Sequence, residues 1–380
     1  MRSRRTKARI LGREGHMTRI GILTSGGDAP GMNTAVRAVT LIAAQRGVEV
    51  VGVERGWEGV LEGATRPLTR RSGNALAPTE DVDVCGHLGG SILGSARCRA
   101  FYEAEGRARA AASLATMGLD GLVVIGGNGS LTGAHLLAKE HGAKVVGIPA
   151  SIDNDIGCTG SAIGVDTALN TIVECCDRIS DTARAHHRAF LVEVMGRQSG
   201  YLCMAASIAA GADAALFRED GRDEDQIVAD VSDTIARAFA ADRHKARVLI
   251  LKAEGVEVPC TRLARRITER LEETRPEAPI EIRATVLGHL VRGGSPSFLD
   301  RMIGNRLALG AVGALLSGAT DRMVAWQSPL SDGEATPDRH VTLWPLARVL
   351  DETQALLDGS SAVTKGRVAL MHAAAGVLAI

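Results

Sequence analysis

Short, nearly continuous apolar runs alternate with longer segments of helical pattern along most of the chain. The apolar runs predict strands over Arg19–Thr24, Val48–Val53, Gly121–Ile125, Lys144–Ile148, Ala189–Val194, Arg247–Lys252 and Arg283–Leu287. The longer segments predict helices over Thr34–Arg46, Leu131–His141, Asp166–Ala185, Glu224–Ala241, Thr261–Glu273 and Leu299–Leu316. Strands that are apolar throughout are typical of parallel sheets covered on both faces. The pattern therefore predicts an α/β protein of two Rossmann-like, doubly wound α/β/α units, with the active site in the cleft between them.

The composition excludes several classes of function. Hydrophobic residues make up 45% of the chain, and 44 basic residues balance 44 acidic ones, so no overall field attracts nucleic acid or a membrane. Aromatic residues are only 3%, which leaves little material for stacking nucleic-acid bases. The seven Cys lack metal-ligand spacing and suit reduced thiols, so we expect a cytoplasmic protein. Residues 1–17 are expected to form a disordered extension, and Val368–Ile380 a packed terminal helix.

Three glycine-rich segments fall where strands are expected to give way to helices. They are Thr24–Asn33 (TSGGDAPGMN), Gly89–Arg97 (GGSILGSAR) and Gly126–Ser130 (GGNGS). Glycine lets backbone N–H groups face an anion at a helix N-terminus, and an arginine such as Arg97 can neutralise a transferring phosphoryl group. Each segment alone is equally consistent with a tight turn, but their recurrence favours phosphate chemistry.

A fourth segment places two carboxylates at the end of a predicted strand. Asp153 and Asp155 lie in Pro149–Asp155 (PASIDND), directly after the strand Lys144–Ile148. One carboxylate can accept a proton from an attacking hydroxyl group while the other supports a metal ion. Because Asp-Asn-Asp also caps turns, the segment by itself leaves a purely structural role open.

Further polar groups follow the later strands. They are Met195-Gly196-Arg197, Glu254-Gly255 and the segment from Leu287 to Pro296 (LGHLVRGGSP), which carries His289 and Arg292. Arginines with a histidine suit the dianion of a sugar phosphate, and a glutamate can accept hydrogen bonds from sugar hydroxyl groups. The arrangement at strand ends indicates a sugar-phosphate site.

Taken together, these segments resemble those of the phosphofructokinase family. TSGGDAPGMN, GGSILGSAR, GGNGS, PASIDND, VEVMGRQSGY, KAEG and VLGHLVRGGSP occur in the family's order, from about residue 17 to about residue 342. The resemblance implies transfer of the γ-phosphoryl group of Mg-ATP to the 1-hydroxyl of fructose 6-phosphate. It also implies a donor domain of residues 18–164 plus about 291–341, and a sugar domain of residues 165–290 plus about 342–380.

The resemblance also implies roles for individual residues. Asp153 resembles the general base, Ser151 the hydroxyl group that contacts the transferred phosphoryl, and Arg97 and Arg197 the cations that hold it. ATP contacts are implied for Gly27, Arg97, Cys98, Gly126, Gly127, Asn128, Gly129 and Ser130. Fructose 6-phosphate contacts are implied for Ser151, Asp153, Asp155, Met195, Gly196, Arg197, Glu254, His289 and Arg292. Arg188 and Arg283 match residues that reach the sugar phosphate from a neighbouring subunit, which implies a homo-oligomer, most often a tetramer.

Two positions bear on the phosphoryl donor and one on the metal. Pyrophosphate-dependent members carry Asp where Gly129 stands and Lys where Ala150 stands, so both positions favour ATP. Mg²⁺ is implied at Asn128 and Asp155, but the family usually has Asp in place of Asn128, and an amide lacks that negative charge. A pyrophosphate-dependent enzyme, a related lipid or NAD kinase, and a non-catalytic sugar-phosphate-binding regulatory subunit stay open as alternatives.

Overall fold

The computed structural model describes residues 17–240, 245–277 and 279–378. Its strands are β1 Arg19–Ser25, β2 Glu49–Val53, β3 Thr65–Pro67, β4 Thr69–Ser72, β5 Ala75–Pro78, β6 Gly121–Gly126, β7 Val145–Pro149, β8 Ala189–Val194, β9 Ala214–Leu216, β10 Val248–Ala253, β11 Ile282–Val286, β12 Arg322–Trp326, β13 Glu334–Ala335 and β14 Val341–Pro345. Its helices are α1 Met32–Gln45, α2 Gly56–Glu62, α3 Glu80–Val84, α4 Ala104–Thr116, α5 Asn128–His141, α6 Val165–His186, α7 Tyr201–Ala209, α8 Glu224–Ala238, α9 Cys260–Thr274, α10 Phe298–Leu316, α11 Leu346–Asp358 and α12 Ala362–Leu378.

The strands form two main sheets, so the predicted two-unit α/β architecture is confirmed. The larger sheet has the order β13-β14-β12-β7-β6-β1-β2-β3, and its central strands run parallel. The smaller sheet has the order β11-β8-β10-β9 and is parallel throughout. Every residue of β6, β7 and β10 is buried, as expected for strands covered on both faces.

One continuous apolar core joins the two sheets. Ile20 of β1, Ile172 of α6 and Val192 of β8 belong to the same cluster of buried side chains. The long helix α6 therefore packs into both units and fixes the cleft between them. Within the described residues, no helix is long and apolar enough to cross a membrane.

The helices and strands predicted from these patterns are all present, with ends that shift by at most three residues. Ala241, the predicted end of α8, lies outside the described residues, as do residues 1–16 of the predicted extension. Met17, which the prediction included in the extension, packs against the core. The expected terminal helix is present as α12, which begins earlier, at Ala362, and buries Met371.

The sequence pattern missed several elements. The strands β3 to β5, β9 and β12 to β14 and the helices α2, α3, α4, α7 and α11 were not predicted. β14 pairs antiparallel with β12 in the larger sheet, and α11 packs against α5 and β14. Residues 341–358 therefore lie with the larger sheet, whereas the predicted partition assigned 342–380 to the sugar domain. The chain doubles back at the edge of the sheet, and no local pattern records that reversal.

Candidate active site

The loops after β1, β6 and β7 meet at one edge of the larger sheet. A Cβ atom on Gly126 would lie 2.4 Å from the Ser25 carbonyl oxygen, so the ends of β6 and β1 approach too closely for a side chain. Gly26 and Gly31 of the first loop have φ of +92° and +105°, which favours glycine. The close approach at Gly126 and the positive φ angles of Gly26 and Gly31 therefore explain why glycine occupies these positions.

A cavity of about 330 Å³ opens beside these loops. Its walls include seven of the eight residues predicted for the nucleotide: Gly27, Arg97, Cys98, Gly127, Asn128, Gly129 and Ser130. The eighth, Gly126, is the last residue of β6 and lies behind them. The N-terminus of α5 begins at Asn128 in the cavity wall, where its free N–H groups and dipole favour phosphate. We call this space the donor cavity.

The segment Gly89–Arg97 does not follow a strand, and the expectation of a third strand–glycine–helix junction is wrong. It comes after a single 3₁₀ turn, Cys85–His87, and is held by contacts from α1. The Asn33 side chain donates to the carbonyl oxygens of Leu88 and Gly89, both at 3.1 Å, and accepts from the Ile92 N–H at 2.7 Å. Tertiary contacts thus bring Arg97 to the donor cavity. Its side chain is exposed and has no ion pair within the described part of the chain.

An aromatic wall on the donor cavity was missed by sequence reasoning. The rings of Trp57 and Phe101 stack with centroids 4.2 Å apart, and Trp57 is buried with its Nε1–H unpartnered among the described residues. Arg107 holds this wall, since its Nη1 donates to the carbonyl oxygens of Phe101 and Tyr102 at 3.0 and 2.7 Å. Trp57 lies shortly after the carboxyl end of β2, and this position could have indicated that its side chain lines the cavity. Such a wall suits a nucleoside, whereas pyrophosphate has no apolar group to cover.

The segment after β7 holds the two predicted carboxylates and lies next to the donor cavity, since a Cβ atom on Gly127 in the cavity wall would be 3.8 Å from Ser151 Cβ. The Ser151 hydroxyl donates to Asp155 Oδ1 at 2.9 Å, and the Asp153 N–H donates to Ser151 Oγ at 3.3 Å. Asp153 Oδ1 is buried and has no hydrogen-bond partner among the described residues. Burial, and then the neighbouring Asp155 carboxylate, raise the pKa of Asp153 to about 6. A carboxyl group with a raised pKa and a free oxygen has the properties of a general base.

Asp155 is in a different environment from Asp153. Burial raises the pKa of Asp155, while the hydrogen bond from Ser151 and the positive charges of Arg367 and Arg292 favour its ionised form. The two carboxyl groups of one short segment are thus distinguished by their partners, because Asp155 is hydrogen-bonded and Asp153 Oδ1 is left free.

The predicted sugar-phosphate residues follow the carboxyl ends of β8, β10 and β11. Gly196 has φ of +127°, and its carbonyl accepts a hydrogen bond from the Gly255 N–H at 3.1 Å, so the loops carrying Met195–Arg197 and Glu254 are joined. Below them the buried Lys252 Nζ lies 3.0 Å from Glu193 Oε2, between adjacent strands. Arg197, Glu254 and His289 have exposed side chains, available to a ligand.

Arg292 lies where the two units meet. Its Nη1 donates to the Asp28 carbonyl oxygen at 3.0 Å, and a Cβ atom on Gly27 would lie 2.7 Å from that nitrogen. The charge of Arg292 also lowers the pKa of Asp153, against the effect of burial. Arg292, which was predicted to bind the sugar phosphate, therefore contacts the loop after β1. The predicted sugar-phosphate residues and the donor cavity are thus contiguous.

Two predicted residues lie away from this group. Arg188 immediately precedes β8 and Arg283 lies near the start of β11, at the opposite end of the strands from Met195 and His289. Six residues of β8 separate the two ends, which is about 20 Å of extended chain. Both arginines pair with Glu281. The structure therefore does not bring them to the chain's own cleft.

The oxygen atoms beside the donor cavity fit a magnesium ion. Asn128 Oδ1 is buried in the cavity wall and has no hydrogen-bond partner among the described residues. The Asp155 carboxylate is ionisable and only partly engaged by Ser151. Mg²⁺ is usually held by one or two such oxygen ligands together with substrate phosphates and water. The described residues contain no cluster of three acidic, His or Cys ligands, so such an ion would depend on the nucleotide.

These features define a class of protein: a two-unit α/β protein whose cleft combines a cavity lined by glycine-rich loops, two neighbouring carboxylates and several arginine side chains. The family model described as Phosphofructokinase matches residues 19–315. The chain belongs to the phosphofructokinase family.

Individual relatives agree with this assignment. An ATP-dependent 6-phosphofructokinase of Thermotoga neapolitana is 46% identical over 315 residues, covering 82% of this chain and 90% of that protein. ATP-dependent 6-phosphofructokinase 1 of Thermus thermophilus is 44% identical over 309 residues, covering 81% of this chain and 89% of that protein. The structure of phosphofructokinase from Saccharomyces cerevisiae superposes with a TM-score of 0.76 and 29% identity over 93% of this chain, which spans 47% of the yeast chain.

Proposed function

We propose that this chain transfers the γ-phosphoryl group of Mg-ATP to the 1-hydroxyl of fructose 6-phosphate, giving fructose 1,6-bisphosphate and ADP. This is the activity of an ATP-dependent 6-phosphofructokinase in glycolysis. The observation that carries the proposal is the free, buried oxygen of Asp153 beside both the donor cavity and the sugar-side loops. The relatives named for this reaction support the same activity.

In the proposed reaction, the oxygen of the sugar 1-hydroxyl attacks the γ-phosphorus atom, and the Asp153 carboxylate accepts the proton of that hydroxyl group. The bond from that phosphorus atom to the bridging oxygen breaks, and ADP leaves. Arg97 and Arg197 neutralise the charge on the transferring group, and Ser151 contacts it through its hydroxyl. Phosphoryl transfer depends mainly on such alignment and charge neutralisation. Asn128 and Asp155 would hold Mg²⁺ together with the phosphates of ATP, and the bound ion would neutralise further phosphate charge.

The remaining predicted contacts divide between the two substrates. Gly27, Gly127, Gly129 and Ser130 offer backbone to the phosphates of ATP, and the aromatic wall offers a surface to its nucleoside. Met195, Gly196, Glu254, His289 and Arg292 are proposed to bind fructose 6-phosphate.

Arg188 and Arg283 are proposed to act on the sugar phosphate of a second copy of the chain, in a homo-oligomer such as a tetramer. Their position at the far end of the smaller sheet supports this role, because they do not reach the cleft of their own chain.

Turnover of fructose 6-phosphate by the purified protein with ATP, pyrophosphate and ADP in parallel tests the proposed donor. We expect fructose 1,6-bisphosphate with ATP and at most trace product with the other two. Equal or faster turnover with pyrophosphate would instead support a pyrophosphate-dependent enzyme. No turnover with any donor, together with binding of the sugar phosphate, would support a regulatory subunit.

The pKa of Asp153 sets an expected pH dependence. The general base acts as a carboxylate, and its pKa is raised to about 6. We therefore expect kcat/KM for fructose 6-phosphate to fall by about tenfold per pH unit below that pKa and to be level above it. Initial rates across this range, with re-assay at neutral pH to check for inactivation, measure the profile. A profile that stays level through pH 5, about one unit below the pKa, would remove Asp153 from the role of base.

Replacing Asn128 with aspartate is expected to reduce the Mg²⁺ concentration at half-maximal rate. The added negative charge strengthens the attraction for a cation at the cavity wall, by roughly 3–10-fold in half-saturation. A magnesium titration at saturating ATP measures the effect. The matched control is Asn305→Asp on the exposed face of α10. If both variants and the wild type titrate alike, Asn128 does not serve the metal.

A further inference from the structure

Arg367 connects the helix α12 to the carboxylate segment, although it lies beyond residues 19–315, which the family model matches. Its Nη1 donates to the Asn154 carbonyl oxygen at 3.2 Å, across 213 positions of sequence. Asn154 stands between Asp153 and Asp155, so this contact is made to the peptide that joins the two carboxylates. The proposed function assigns no role to Arg367.

The guanidinium group of Arg367 is held without a carboxylate partner. Its central carbon lies 4.4 Å from the ring centroid of Tyr201, at the start of α7, which is the geometry of a cation–π contact. No carboxylate oxygen of the described residues lies within salt-bridge distance of it. Burial lowers the pKa of Arg367, while Tyr201, Glu219 and Asp155 favour its charged form. A partly buried cation is thus kept beside the carboxylate segment without being neutralised.

The peptide that Arg367 contacts has an unusual conformation. Asn154 has φ of +46°, in the left-handed region that non-glycine residues adopt rarely. Its side chain donates to the Gly160 carbonyl oxygen at 3.1 Å and accepts from the Ala162 N–H at 3.2 Å. The Asn154 side chain is therefore held by two backbone groups, and the Asn154 carbonyl oxygen is held by Arg367. This conformation determines where Asp153 and Asp155 point.

We propose that Arg367 is a positioning residue for phosphoryl transfer: its hydrogen bond to the Asn154 carbonyl oxygen fixes the peptide between Asp153 and Asp155. This inference rests on the proposed function. Arg367 from α12 and Arg292 from the turn after β11 are the cations that favour the ionised form of Asp155. Removing Arg367 would leave the Asn154 carbonyl oxygen without its donor from α12, while the side-chain hydrogen bonds of Asn154 would stay in place.

Arg367→Met, Arg367→Lys and the control Lys365→Met test this role. Lys365 is exposed on the same helix, so its replacement removes one positive charge from α12 without touching the Asn154 peptide. For Arg367→Met we expect kcat to fall by about 10–100-fold, with little change in KM for fructose 6-phosphate. Arg367→Lys keeps a positively charged donor but lacks the planar fork of the guanidinium group, so it should recover only part of kcat.

A second measurement is independent of turnover. Hydrogen exchange of the peptide spanning residues 151–155, without substrate, should be faster in Arg367→Met than in the wild type and in Lys365→Met. A wild-type kcat in Arg367→Met, or unchanged exchange in that peptide, would overturn the proposal. Equal losses of kcat in Arg367→Met and Lys365→Met would also overturn it, because they would report the charge of α12 and not the contact with Asn154. If the wild type itself lacks turnover, the proposed function fails, and the exchange measurement still decides whether Arg367 holds the segment.

Discussion

Replacing Asp153 with serine is expected to reduce kcat by about 10²–10⁴-fold, the usual contribution of a general base. Asp153 Oδ1 is buried and unpartnered among the described residues, so its removal breaks no hydrogen bond of that atom. Burial raises the pKa of the Asp153 carboxyl, and an uncharged serine avoids placing a charge in that environment. We therefore expect folding and sugar binding to be retained. Steady-state kinetics and equilibrium binding of fructose 6-phosphate measure the two properties separately.

Asp181→Ser is the matched control for this substitution. Asp181 is an exposed aspartate of α6 whose one ion pair among the described residues is with Arg184, and its replacement should leave kcat unchanged. If Asp153→Ser keeps kcat within tenfold of the wild type, another group takes the proton and the proposed mechanism is wrong. Loss of both turnover and sugar binding would indicate that the segment has collapsed, and Asp153→Asn would then repeat the test with a closer match in size.

Replacing Gly129 with aspartate is expected to lower kcat/KM for ATP by about 10²–10³-fold, because a carboxylate would face the phosphates of the nucleotide. A Cβ atom at Gly129 meets no atom within 4 Å, so the side chain fits without displacing its neighbours. Gly129 lies in the first turn of α5, where a negative charge stabilises the helix. The loss should therefore come from repulsion and not from unfolding.

Gly129→Asn separates charge from size in this test. Asparagine has nearly the shape of aspartate but no charge, so we expect kcat/KM for ATP to stay within about tenfold of the wild type. Thermal unfolding of both variants should begin at or above the wild-type temperature. Equal losses in the two variants would show that Gly129 provides space alone, and unchanged kinetics in both would place the nucleotide elsewhere.

The sequence predicted the architecture and much of the candidate site because both depend on local regularities. Apolar runs such as Gly121–Ile125 indicate a strand covered on both faces, and they proved to be buried strands of a parallel sheet. Since parallel strands end at one edge, residues directly after them are brought together. Ser130 and Asp153, which lie shortly after β6 and β7, could therefore be assigned to one edge of a sheet from their positions alone.

Contacts between distant segments could not be predicted in this way. Arg367 reaches Asn154 across 213 positions, and Trp57 meets Phe101 although neither lies in a glycine-rich segment. Gly89–Arg97 reaches the donor cavity through the side chain of Asn33 and not through a strand.

The amino-acid sequence by itself determined the two parallel units and the chemistry at their strand ends, because hydrophobic period and turn residues act over a few positions. Only the tertiary structure decided which of those residues share a cleft. It placed Arg188 and Arg283 at the far end of the smaller sheet, paired with Glu281, and joined β14 to the larger sheet. These arrangements depend on how helices and strands pack over long separations, which no local pattern of side chains records.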